Sequence, residues 1–161
     1  MCYKMFIINS NSSTNKYLII TLIVANIFHL VPVESKEMQR CTLAKTLFHR
    51  YKVSRSLIPS LLCYIEKSSK YDTTKITKMD KGNRYGLFQF KGGEHCAEKD
   101  DVMADTVCGV PCGSFVDNQI TDDVRCWRIL HAKFGFSQWD EWVESCKDKF
   151  LMGYLQGCPL Y

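Results

Sequence analysis

The cysteines constrain this chain more than any other feature. There are nine in 161 residues. Cys2 falls in a leader-like N-terminus, and the other eight are Cys41, Cys63, Cys96, Cys108, Cys112, Cys126, Cys146 and Cys158. An even number of cysteines in a small exported domain implies a disulfide framework, because so short a chain gains much of its stability from cross-links. Eight cysteines allow on the order of a hundred pairings, so spacing alone leaves connectivity open. A zinc site is a poor account of the same residues. Cys108 and Cys112 are the one close pair, and neither a second pair nor a histidine cluster completes four ligands.

The export reading rests on residues 1–35. Lys4 and Lys16 make a basic leader, residues 17–33 are almost continuously apolar, and Val33, Glu34 and Ser35 stand at the usual cleavage spacing. The apolar run is short for a membrane span and contains Asn26, His29 and Pro32. The expectation is a signal peptide over 1–35 and one secreted, extracellular domain over 36–161, with no membrane span once the signal is removed. The net charge of +4 is too small, and too scattered, to indicate a nucleic-acid partner.

Apolar periodicity predicts a first helix over 40–51, with Ala44, Leu47, Phe48 and Tyr51 on one stripe. Pro59 suits the first turn of a second helix, which runs to about residue 70 with Leu62, Cys63 and Ile65 inward. Residues 75–79 and 85–90 read as two strands around the Asp/Gly/Asn turn at 80–83, and Gly92 and Gly93 end that hairpin. Residues 94–114 form an irregular loop carrying three cysteines. Thr121 is a candidate cap for a third helix with Asp122 and Asp123 in its first turn. Val124, Trp127, Leu130 and Phe134 would be its buried stripe, Gly135 its stop, and Ser137 the cap of a shorter helix holding Trp139, Trp142, Val143 and Cys146. Helices before and after one small antiparallel hairpin make an α+β layout.

These motifs together resemble the C-type lysozyme and α-lactalbumin family (glycoside hydrolase family 22). The likeness is carried by the order of the eight cysteines, the Pro111 between Cys108 and Cys112, the run Tyr85-Gly86-Leu87-Phe88-Gln89-Phe90, and Trp139 and Trp142 leading into Cys146. The resemblance covers nearly the whole expected mature chain. It implies a lysozyme-like fold with a helical domain, a small hairpin subdomain and four bridges. By that resemblance the bridges are Cys41–Cys158, Cys63–Cys146, Cys96–Cys112 and Cys108–Cys126.

The resemblance also places the catalytic positions. A glycosidase of this kind needs two carboxyl groups flanking the scissile bond, and a lysozyme is the type case in general accounts of that chemistry. Counted from Cys63, the acid's position is Ser68. Counted back from Tyr85, the aspartate's position is Arg84. Serine has no proton to donate near neutral pH, and arginine puts positive charge beside a developing oxocarbenium ion. No catalytic residue is therefore assigned. Other acids are badly placed to substitute. Glu66 lies about 200° around the helix from Ser68, which predicts a solvated face. Asp80 sits in the turn, and Asp72 ends the helix. The family's sugar-stacking aromatics before the first loop cysteine are replaced by Glu94 and His95. Gln89 and Trp139 keep cleft-lining, substrate-binding positions. His49, His95 and His131 read as ordinary surface or core residues.

The resemblance further implies a calcium elbow before the third helix. Asp117, Asp122 and Asp123 would supply carboxylates, and the carbonyls of Ser114 and Gln119 would complete an oxygen cage. No cofactor is required; calcium would be a structural ion in this elbow. The expected function is a secreted lysozyme-like protein without catalysis that binds a glycan, of the peptidoglycan or N-acetylglucosamine type, or a protein partner. Antibacterial defence and reproduction are the settings in view. An active muramidase hydrolysing β-1,4 bonds of peptidoglycan is the first alternative, and a regulatory subunit in the manner of α-lactalbumin the second.

Overall fold

The computed structural model describes residues 38–99 and 105–161. The expected signal peptide over 1–35 lies outside them. The first helix is α1, Arg40–Lys45, continued by a wider π turn at Thr46–Arg50. Helix α2, Ile58–Ser68, starts with Pro59 in its first turn, where the missing N–H costs nothing. Its first and middle turns are buried on nearly every face, so it forms the centre of the domain. Helix α3 is Thr121–Phe134 and α4 is Asp140–Ser145. Among the described residues no helix is long and apolar enough to cross a membrane.

Between α2 and α3 lies an antiparallel sheet of three strands, each of two residues: β1 Ile76–Thr77, β2 Arg84–Tyr85 and β3 Phe90–Lys91. Tyr85 faces Ile76 on one side and Phe90 on the other. The strand expected over 85–90 is thus broken by a turn at 86–89. Gly86 takes φ +70, and a Cβ there would stand 1.9 Å from the carbonyl oxygen of Phe115. That close approach needs glycine, and it turns the chain out of the strand.

The core joins the two regions. Leu47, Leu61, Leu62, Tyr64 and Ile65 from the helices are buried with Leu87, Phe88, Phe90 and Phe115 from the sheet side. Phe90 packs on Phe115 with centroids 4.5 Å apart. The bridges formed are Cys41–Cys158, Cys63–Cys146, Cys96–Cys112 and Cys108–Cys126. The first closes a loop of 117 residues, which in the chain-entropy account restricts the unfolded state by about 4–5 kcal/mol.

Three local expectations fail. Thr121 makes no cap; its hydroxyl pairs with Tyr51 Oη at 2.9 Å and the N-cap is Ile120. Ser137 donates back to the Phe134 carbonyl instead of capping α4. Phe134 is 52% exposed, because Gly135 reverses the chain at φ +63 and Phe136 enters the aromatic cluster in its place, stacked on Trp142.

Candidate functional site

The C-terminus of α2, the start of α4 and the β2 strand come together around Tyr64, and Arg84 of β2 also lines a cleft on the sheet side. Ser68 ends α2 and is 7% exposed. Its hydroxyl donates to the Tyr64 carbonyl at 2.8 Å, the ordinary back-bond of a serine in a helix. Its own carbonyl accepts from Lys75 Nζ at 2.5 Å, so the chain leaving α2 is clamped to the segment entering β1.

Arg84 stands on β2 with its side chain only 13% exposed. Its Nη1 makes an ion pair with Glu141 Oε1, and its Nη2 lies 3.8 Å from Asp140 Oδ2. Both carboxylates belong to the first turn of α4, so this cation spans from the sheet to the helical wall. The second oxygen, Glu141 Oε2, is buried and has no hydrogen-bond partner. Near the pair, burial and then the Glu141 carboxylate push the Tyr64 phenol well above its ordinary pKa, with Arg84 opposing. Tyr64 remains a neutral donor, and its hydroxyl gives 2.6 Å to the Phe88 carbonyl.

Asp140 and Glu141 are the site residues that sequence reasoning missed. They were not singled out in the sequence, and acids are favoured at any helix N-terminus. The usable signal was Arg84 itself, since a cation in a half-dry cleft needs a carboxylate from the facing wall.

The remaining candidates are mostly committed elsewhere. Gln89 is 3% exposed, and its amide donates to the carbonyls of Gly86 and Lys75 while its oxygen accepts from Thr77 Oγ1. It braces the turn between β2 and β3. Trp139 is 4% exposed and packs on Tyr64 at 5.1 Å, with its indole N–H unpaired. Asp72 Oδ1 accepts from the backbone and hydroxyl of Thr74, closing a turn. Glu66 stays partly solvated, as expected, with its side chain 36% exposed. It accepts from Tyr154 Oη at 2.6 Å and pairs with Lys67, and the Tyr154 hydrogen bond leads in lowering its pKa.

His95 is buried, and its Nδ1 accepts the Lys91 backbone N–H at 3.2 Å while its Nε2 lies 3.4 Å from Glu94. Burial lowers its pKa against the opposing pull of Glu94. Along the sheet side runs an open groove of about 470 Å³, lined by Met79, Asp80, Lys81, Arg84, Lys91 and Glu94 among others. That volume is in the range of small-ligand sites.

The acidic loop before α3 is only partly assembled. Asp123 is 2% exposed and its Oδ1 has no partner. Burial first, then repulsion from Asp117 and Asp122, pushes its carboxyl up to about 8. Asp117 is turned to the Gln119 N–H at 2.6 Å. Among the described residues no three acidic, histidine or cysteine side chains converge as metal ligands. The donor chemistry fits an oxygen-bound cation, with Asp123 its buried anchor; the three carboxylates as placed do not close around one point.

Comparison with known proteins agrees with this architecture. The profile of the C-type lysozyme/alpha-lactalbumin family matches residues 36–158. The milk isozyme of lysozyme C from Bos taurus is 32% identical over 145 residues, covering 85% of this chain and 96% of the relative. Alpha-lactalbumin from Papio cynocephalus is 28% identical over 114 residues, covering 71% and 93%. Among solved structures, canine milk lysozyme in its holo-type form superposes with a TM-score of 0.69 at 28% identity, covering 78% of this chain and 100% of that one. With its helices, short sheet and bridges in this arrangement, the chain belongs to the C-type lysozyme/alpha-lactalbumin family.

Proposed function

We infer that this family member is a secreted binding protein that holds a glycan or a protein partner in the cleft without hydrolysing it. One observation carries the reading: Arg84, at the position that the resemblance gives to the hydrolytic aspartate, is a cation already paired with Glu141 and Asp140. Ser68, at the position that the resemblance gives to the acid, offers a hydroxyl already donated to the backbone. The two acids nearest Arg84 both come from α4 and are drawn to the same guanidinium, so they do not flank a scissile bond from opposite walls. Asp72 and Glu94 are occupied by Thr74 and by Lys91 with His95.

A bacterial cell-wall clearing assay paired with pull-down on chitin and peptidoglycan tests this. The expected result is retention on a glycan with no clearing. Clearing that vanishes on changing Asp72, Glu94 or Glu141 would overturn it in favour of a muramidase. Neither clearing nor retention would direct the search to a protein partner.

The reading includes a structural calcium ion held by Asp117, Asp122 and Asp123 with the carbonyls of Ser114 and Gln119. The orphaned, buried oxygen of Asp123 supports it. The ion would supply the missing counter-charge and no chemistry in the cleft.

A further inference from the structure

We propose that the cleft selects an acidic glycan, one bearing a carboxylate that replaces Glu141 as the partner of Arg84. This rests on the reading of the cleft as a binding site and names the ligand class for it. Arg84 is 13% exposed, so a neutral sugar that pushed Glu141 aside would strand a guanidinium in a largely dehydrated place. A ligand carboxylate restores the pair, and guanidinium takes carboxylate through two parallel N–H bonds. Glu141 does not use that geometry here. One of its oxygens meets Nη1, and the other is buried without a partner. Asp140, at 3.8 Å and 73% exposed, is a loose second partner. The resident pair is therefore replaceable, and Glu141, already 31% exposed, has a short path to water.

The groove continues the same logic. Among the described residues, Lys81, which lines it, pairs with no carboxylate, and Lys91 pairs only with the exposed Glu94 at 3.5 Å. Met79, half exposed, gives a sugar ring an apolar surface beside these cations. A β-linked chain lying there would set a uronate on Arg84 and its next acidic unit near Lys81.

The test is calorimetric titration at low salt with two oligosaccharides of equal length. One is a neutral β-linked N-acetylglucosamine oligomer, and the other alternates N-acetylglucosamine with a uronic acid. The acidic oligomer is expected to bind at least tenfold more tightly. Arg84→Gln should erase that preference, Glu141→Gln should strengthen acidic binding severalfold, and the exposed Lys81→Gln should weaken it without a question of folding. Equal binding of the two oligomers, or tighter binding of the neutral one, overturns this proposal and leaves the cleft as a neutral-glycan site. Binding of neither overturns the glycan reading itself. Acidic preference that survives Arg84→Gln in a folded variant, judged by circular dichroism, also overturns it.

Discussion

The Tyr64 hydroxyl donates to the Phe88 carbonyl at 2.6 Å, which fastens the middle of α2 to the turn between β2 and β3. Both groups are buried, so removing the donor leaves a carbonyl with no water to replace it. Tyr64→Phe should therefore cost about 1–3 kcal/mol despite conserving the ring. Denaturant unfolding measures it, and a change within experimental error would show that the hydroxyl does not secure the turn.

Arg84 separates two carboxylates from bare repulsion, so the identity of its replacement matters. Arg84→Ala removes the pair and is expected to cost about 1–3 kcal/mol, reduced from the fully buried case because Glu141 is partly exposed. Arg84→Asp, which writes back the family's acid, should cost more than Ala because it adds a third anion beside Asp140 and Glu141. Thermal unfolding of the two variants ranks them. An aspartate variant as stable as the wild type would contradict this electrostatic account of the cleft.

His95 gives the protein an acid-side sensitivity. Its folded-state pKa is lowered by burial, so the unfolded chain takes up a proton first as pH falls. Stability then declines as pH drops through about 6.5 and levels off below the folded value. Glu94 raises the pKa, and Lys91 and Arg84 add to the lowering. The stability difference between wild type and His95→Asn should shrink from pH 7.5 to pH 5, since protonation also ends acceptance of the Lys91 N–H. A difference that is flat across that range rejects this role.

Asp123 works in the opposite direction. Its folded pKa of about 8 lies above the unfolded value, so the folded chain keeps a proton that the unfolded chain loses. Calcium-free stability should fall as pH rises from about 4 to about 8. Asp123→Asn should raise stability at pH 8 without calcium. Millimolar calcium should raise the melting temperature of the wild type and leave that variant unmoved. No shift in the wild type would remove the proposed ion.

The α+β layout was readable because its signals are local and redundant. Pro59 marks the start of α2, the cysteine order carries the four bridges through the family resemblance, and Trp127 and Leu130 keep helical period. The break at 86–89 was not readable. Leu87, Phe88 and Phe90 have the composition of a strand, and the reason for the turn is the Phe115 backbone, 29 residues after Gly86. Phe134 misled for a related reason, since periodicity cannot tell that Gly135 carries the chain away and lets Phe136 take the buried place. The charge reversal at Arg84 was plain in the sequence, whereas its partners lay 56 and 57 positions on, among acids that any helix start would favour.

The sheet contributes only two residues per strand, and the segment after it is held by bridges of short span, 16 and 18 residues apart. Backbone pairing that sparse cannot fix a wall by itself. The segment beyond Lys91 is thus held by its two bridges together with backbone bonds such as Ala97 N–H to the Val110 carbonyl and Cys112 N–H to the Ala97 carbonyl. Where thiols are kept reduced, the Cys96–Cys112 and Cys108–Cys126 tethers would be lost together with the Cys41–Cys158 and Cys63–Cys146 bridges of the helical half, so both regions of the domain depend on an oxidising setting.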